Sequence, residues 1–256
     1  MVKNIFFLGI LLLISSCATP TVIQPDPLSS IKEVKLKEVL SKALDAMGGI
    51  ENWNNLKSIK FQKKIELYDA SGVLEKVTDQ THYYTFQPEN KIKISWSEND
   101  SSHEMIMENN LIKKTINGSI DTTTEPSSLK NSIYASTFVI GIPFNLLDEG
   151  ALLSYEGIKV IASGKEVHVV KAVYNPEAFA SHTKADIWWH YFDVQNYQSV
   201  GYSVQLHDHT SYIENLTYDQ VDGFLFTRSR DSWRIDDDGN KLYVKAAYEY
   251  TGFELN

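Results

Sequence analysis

Cysteine is almost absent: Cys17 is the only one in 256 residues. That excludes a disulfide framework, a cysteine-based zinc site and an iron–sulfur cluster, whatever the redox state of the compartment. Basic residues are also short, with 24 Lys plus Arg against 33 Asp plus Glu, a formal net charge of −9. A chain of that sign repels phosphate backbones, so nucleic acid is not an expected partner. Arginine is missing before Arg228, and only Arg230 and Arg234 follow it. No apolar run reaches the ~20 residues that span a bilayer as a helix. A nucleophile elbow, a phosphate-cradling glycine loop and a His-Glu-x-x-His helix are lacking too. What is there is 43% hydrophobic and 12% aromatic, with an ordinary charged fraction of 22%. Such a chain can bury a sizeable core, and disorder is excluded for most of its length.

The one cysteine ends a leader. Lys3 supplies a positive start, Ile5 to Ile14 an apolar run, and Ser15-Ser16 the small residues before Cys17. This is the layout of a secretory signal peptide. The tetrad Ile14-Ser15-Ser16-Cys17 resembles the lipobox of bacterial lipoproteins, which implies acylation of the Cys17 thiol and cleavage before it. Cleavage leaves 256 − 16 = 240 residues and, with Lys3 gone, a net charge of −10. Several acyl chains anchor firmly where one does not. Ala18 rather than Asp follows the cysteine, which points to the outer membrane, with the periplasmic face favoured over the cell surface. Residues 17–29, with Pro20, Pro25 and Pro27 among polar neighbours, read as an extended tether.

Beyond the tether, Ser30-Ile31-Lys32-Glu33 has capping-box spacing. Leu36, Val39, Leu40, Ala43, Leu44 and Met47 then repeat at helical intervals up to Gly48-Gly49, which predicts an amphipathic helix with a glycine stop. A second short turn around Trp53 leads into a region of period two. Ile59, Phe61, Ile65 and Leu67 alternate with polar residues, with Lys63 on the same face, and Ile92, Ile94 and Trp96 repeat the pattern. Turn signals at Ser71-Gly72, Pro88-Glu89-Asn90, Asn117-Gly118, Ser163-Gly164, Asp222-Gly223 and Gly239-Asn240 separate about ten or eleven strands. One apolar stretch interrupts this meander. Leu129, Ile133, Phe138, Val139, Ile140, Ile142, Phe144, Leu146 and Leu147 predict two short helices, about 127–140 and 143–148, broken at Pro143. No linker divides residues 30–256, so one domain is expected.

Three stretches carry a resemblance. Leu44 to Phe61 with its Asp45-Ala46-Met47-Gly48-Gly49 core, Gly141-Ile142-Pro143-Phe144 with Leu146-Leu147, and Tyr218 to Phe224 together resemble a family of bacterial lipoproteins. That family is similar to the periplasmic lipoprotein carrier and the outer-membrane lipoprotein receptor of the Lol sorting pathway. The resemblance implies an unclosed antiparallel barrel whose apolar inside, covered by helices, accepts acyl chains. A lipoprotein carrier of this kind controls its lid with an arginine on an early strand; here Lys60, Lys63 and Lys64 are the nearest cations.

Other clusters are weaker. His207-Asp208-His209 puts two imidazoles on one face of a strand end, with His190, His182 or a carboxylate needed to complete a metal site, and none is expected to function. Asp186, Asp193, Glu214 and Glu249 could pair across strands in the manner of a glycosidase, but no pair stands out. Arg228, Arg230 and Arg234 share a parity with Phe224 and Phe226; an anionic headgroup would fit such a face, although Asp231, Asp236, Asp237 and Asp238 nearby favour a solvated outer face. Of the adjacent Trp188 and Trp189, one must face outward.

These readings converge on an α+β fold: a curved, incompletely closed antiparallel β-barrel with an N-terminal helix and a helical insert on the concave side. The expected function is non-catalytic binding of a lipid or a lipoprotein acyl chain, without a cofactor. The expected cleft and lid residues are Phe61, Ile65, Ile94, Trp96, Ile133, Phe138, Phe144, Leu147, Trp189 and Phe224, with Cys17 as the anchor. The alternative is an envelope hydrolase or a carbohydrate-binding module using exposed aromatic and carboxylate residues.

Overall fold

The computed structural model describes residues 27–148, 150–174, 187–206 and 209–256. Two helices come first, α1 (Val34–Ala46) and α2 (Ile50–Asn55). They are followed by strands β1 (Ser58–Tyr68), β2 (Leu74–Thr85), β3 (Lys91–Glu98), β4 (Ser101–Glu108), β5 (Leu111–Ile116) and β6 (Ser119–Ile120). The insert is helix α3 (Pro126–Ile140) and a 3-10 turn at Phe144–Leu147. Strands β7 (Ala151–Val160), β8 (Glu166–Tyr174), β9 (Ile187–Asp193), β10 (Ser199–Gln205), β11 (Thr210–Val221), β12 (Phe224–Ile235) and β13 (Lys241–Leu255) complete the chain.

Among the described residues the thirteen strands belong to one antiparallel sheet in the order β6-β5-β4-β3-β2-β1-β13-β12-β11-β10-β9-β8-β7. The first and last strands pair in its middle, Ile59 opposite Leu255 and Lys63 opposite Tyr250. The two free edges are therefore β6 and β7, the strands that the insert connects. An incomplete barrel with a helical insert was expected; the strand count was too low. The cause is local. Asn99-Asp100 and Asn109-Asn110 both take positive φ and make two-residue hairpins between β3, β4 and β5 without any glycine.

One face of the sheet and the helices share the main core. Leu36, Val39, Leu40, Ala43 and Leu44 of α1 are buried there, with Ile59 and Phe61 of β1, Ile92 and Ile94 of β3, and Met105 and Met107 of β4. Leu28, at the end of the expected tether, is buried in the same cluster. The capping box does not form: α1 starts at Val34 with Glu33 as an N-cap that makes no side-chain cap bond. The Glu33 carboxylate instead accepts the Tyr155 backbone N–H of β7 at 3.3 Å. The glycine stop does form, and Gly48 has a second role. Its φ is +126°, and a Cβ there would lie 2.5 Å from Phe224 Cδ1, so only glycine lets α1 turn directly over β12.

Candidate functional site

The site is the space between the concave face and the insert. Pro126 opens α3 at a position where its missing N–H costs nothing. Before it, the Asp121 carboxylate accepts from the hydroxyls of Thr123 and Thr124 and from Lys114 Nζ at 2.9 Å, which fixes the entry and holds that carboxyl well below the usual range. The far end is fixed differently. Asn145 Nδ2 donates to Phe138 O at 2.9 Å, capping the last turn, and its side chain passes so close to Gly141 that a Cβ would collide with it. Phe144 then stacks on Trp53 of α2 at 4.6 Å, with Phe224 edge-on at 6.3 Å. The helix touches β4 and β5 on one side. On the other, Phe138 packs on Trp188 of β9 at 4.8 Å and on Tyr174 of β8 at 5.6 Å. The insert thus straddles the gap between the free edges, with Leu129, Ile133, Phe138 and Ile140 buried beneath it.

Under the C-terminal end of α3 lies a cavity of about 20 Å³, whose lining includes Val139, Ile140, Ile142 and Phe144 of the insert, Tyr202, Tyr250 and Arg230 of the sheet, and the polar Ser199, Asn215 and Thr227. That is room for about one water and far less than an acyl chain. Arg230 lines the cavity, and a second buried cation, Lys63, lies outside its lining on the other side of β13. Arg230 is 6% exposed and Lys63 8%, both inside the apolar core. They flank β13, Lys63 opposite Tyr250 and Arg230 opposite Tyr248. The Arg230 guanidinium sits 4.9 Å from the Tyr248 ring centroid and 5.0 Å from that of Tyr250, and Nη2 donates to the Tyr250 hydroxyl. Lys63 Nζ lies 5.4 Å and 5.9 Å from the same two centroids. Among the described residues no carboxylate pairs with either cation, and Arg230 Nε has no hydrogen-bond partner. Burial, with Arg230 nearby, pulls the Lys63 ammonium down to about 7. The arginine stays charged. His190, fully buried on β9, has neither ring nitrogen bonded and is held neutral, its value lowered to about 3 by burial.

The expected cleft residues divide. Phe61, Ile94, Ile133, Phe138, Phe144 and Phe224 are buried together, and Trp96 and Leu147 pack partly buried against them. Ile65 is half-buried further along β1, opposite Tyr248. Trp189 is a correction: pairing with Ser203 and Lys171 places it on the opposite face, in a small cluster with Val167, Val169 and Val200, whereas Trp188 points inside. The arginine trio is another. The register between β11 and β12 shifts twice between Asn215 and Tyr218, so strict parity fails. Arg230 joins Phe224 and Phe226 inside, Arg228 is exposed 3.5 Å from Asp219 and 3.6 Å from Glu249, and Arg234 donates to Ser211 Oγ. Of the four carboxylates considered for pairing, Glu214 meets Lys241, Glu249 meets Arg228, and Asp193 accepts the backbone N–H groups of Gln195 and Asn196. Cys17, His182, Asp186 and His207 lie outside the described residues. Lys63 stands within the apolar alternation of β1, which is the sequence signal of its burial.

No protein-family profile matches the sequence, and no curated protein matches it. Solved structures do. A LolA superfamily protein from Nitrosomonas europaea aligns with a TM-score of 0.56 at 9% identity, over 86% of this chain and 93% of that one. A DUF1329 family protein from Desulfovibrio piger gives 0.54 at 6% identity, over 86% and 92%. Identities this low speak to architecture alone. With its unclosed thirteen-stranded sheet and helical insert, the chain has a LolA-like fold.

Proposed function

We propose that the protein is a non-catalytic lipoprotein of the cell envelope that takes up a lipid or the acyl part of a lipoprotein beneath its insert. Residues 1–16 would be the leader, lipidated Cys17 the outer-membrane anchor on the periplasmic side, and 30–256 the single binding domain. The observation that supports this most is the insert itself. It joins the two free sheet edges and covers the concave face with large apolar side chains while making no strand pairing. An acyl chain enters only when the insert swings aside, and the chain then replaces Phe138 and its neighbours against the sheet. Burying a dozen methylenes contributes on the order of 8 to 10 kcal/mol at about 0.8 per CH₂, before the costs of opening and ordering.

The test is uptake of a fluorescent fatty acid, measured beside thermal unfolding, for wild type, Phe138→Ser and Phe144→Ser. A movable lid gives altered uptake with a folded protein. Wild type that takes up no acyl probe, with variants that only lose stability, sinks the reading. A second reading, a hydrolase or carbohydrate-binding module, draws on the outer face. There Trp189 and Tyr191 border a groove of about 850 Å³ with Asp236, Asp237 and Asp238. Quenching of Trp189 fluorescence by soluble glycans, without acyl uptake, would favour it.

A further inference from the structure

The interior of this barrel contains two cations that its own chemistry does not explain. A core normally excludes Lys and Arg, or pairs them with carboxylates. Here Lys63 and Arg230 sit on either side of β13 among tyrosine rings and neutral polar groups, with Gln80 and His82 on the Lys63 side and Ser199 and Asn215 lining the same cavity as Arg230. An opposite charge would be expected between them, and Arg230 Nε, buried and unbonded, is a donor waiting for an acceptor. The cavity above Arg230 is roofed by Val139, Ile140, Ile142 and Phe144, so the same movement that admits an acyl chain uncovers the guanidinium.

We propose that Lys63 and Arg230 receive the anionic head of an acidic amphiphile, a carboxylate or phosphate, whose acyl chain runs along the apolar strands beneath the insert. This rests on the acyl-binding reading and adds a selectivity to it: acidic lipids over neutral ones. Guanidinium and ammonium groups bind such oxygens with short, charge-assisted hydrogen bonds. Both cations are buried against tyrosine rings, so each bond counts for more than at a surface.

The pair has a built-in pH response. Groups facing Lys63 are Gln80 and His82 from β2, Tyr248 and Tyr250 from β13, and Arg230 from β12, with Tyr202 of β10 beyond Arg230. Burial keeps His82 neutral, and Tyr202 and Tyr250 are pushed up and stay protonated. None of the insert residues lining the cavity titrates. Between pH 7 and 9 Lys63 is then the group that changes charge, losing its proton in the empty site and keeping it beside a bound anion.

Displacement of a fluorescent fatty acid by lauric acid, by methyl laurate of the same chain, and by sodium phosphate or acetate alone tests this on the folded full-length chain. At pH 6.5 the acid is expected to compete at least about tenfold better than the ester, and free phosphate or acetate not at all at millimolar concentration. The acid should weaken at least about tenfold from pH 7 to 9 while the ester does not change. Lys63→Met and Arg230→Met should bring the acid to the ester's affinity and leave the ester within about twofold. The wild-type pH series stands even if a variant fails to fold. Equal competition by acid and ester overturns the inference and leaves acyl binding standing. Displacement by free anion as strong as by the acid overturns the lipid as source. Failure of acid and ester alike overturns both.

Discussion

Replacing Lys63 with Met should stabilise the ligand-free protein at neutral pH and remove part of its pH dependence. In the unfolded chain the ammonium titrates at an ordinary 10.5; folding lowers it to about 7. Between those values the unfolded state binds more protons than the folded one, so stability rises with pH across that window and is lost as pH falls toward 7. Each unit is worth about 1.4 kcal/mol, which gives a gain of about 2 kcal/mol for wild type between pH 7 and 9 and a standing penalty of about 4 kcal/mol at pH 7. Methionine fills a similar volume, adapts to the tyrosine rings and carries no charge. Part of the penalty is returned as looser packing, so the net stabilisation expected at pH 7 is about 1 to 4 kcal/mol. Urea unfolding at pH 7, 8 and 9 is the assay. That window lies above the titration of the buried histidines and below that of the buried tyrosines, both displaced outward by burial. Wild type and variant curves that stay parallel from pH 7 to 9, or a variant less stable than wild type at pH 7, would refute the burial argument.

Two further outcomes follow from single positions. Gly48→Ala forces a side chain onto a φ of +126° and into Phe224, and should cost about 2 to 4 kcal/mol in chemical denaturation; a change below 0.5, about the noise of a surface substitution, would mean that α1 does not need this contact. Cys17→Ser should release the protein from the membrane fraction and abolish acyl labelling, and a variant still acylated and membrane-bound would show that the leader is not a lipobox.

Much of the architecture was legible because it rests on local periodicity. The apolar positions of α1, the glycine stop at Gly48-Gly49 and the alternation of β1 and β3 each follow from one element and its neighbours, and the structure repeats them. The missed hairpins used Asn and Asp rather than Gly to reach positive φ, a weaker signal for the same geometry. Which face a residue occupies was harder. Trp188 and Trp189 are equivalent in sequence, and only pairing to β8 and β10 decides which turns inward. Parity along β12 failed because the irregular register with β11 is a property of two strands, not of one. The cation pair was the least legible: Lys63 and Arg230 are 167 positions apart and meet only because β1 and β12 both pair with β13.

That meeting constrains what the interior is for. A chain that needed only a stable core would place a leucine at either position, since a buried cation without a counter-charge lowers stability. A neutral acyl chain would not change this, because covering Lys63 and Arg230 with methylenes removes their remaining solvation and returns no electrostatic gain. An anionic head changes the sign of the balance, because each oxygen meets a donor already fixed by packing and no side chain must be ordered to receive it. The insert can supply the opening at modest cost to the sheet, since its displacement breaks no strand ladder: β6 and β7 keep their partners β5 and β8 whether α3 is docked or not. Opening instead exposes Ile133, Phe138 and Ile140, and an incoming chain of comparable apolar area offsets that loss. Exchange of one apolar filling for another leaves the affinity to be set by the head, which is why selectivity between an acid and its ester reports on the site more sharply than affinity for either.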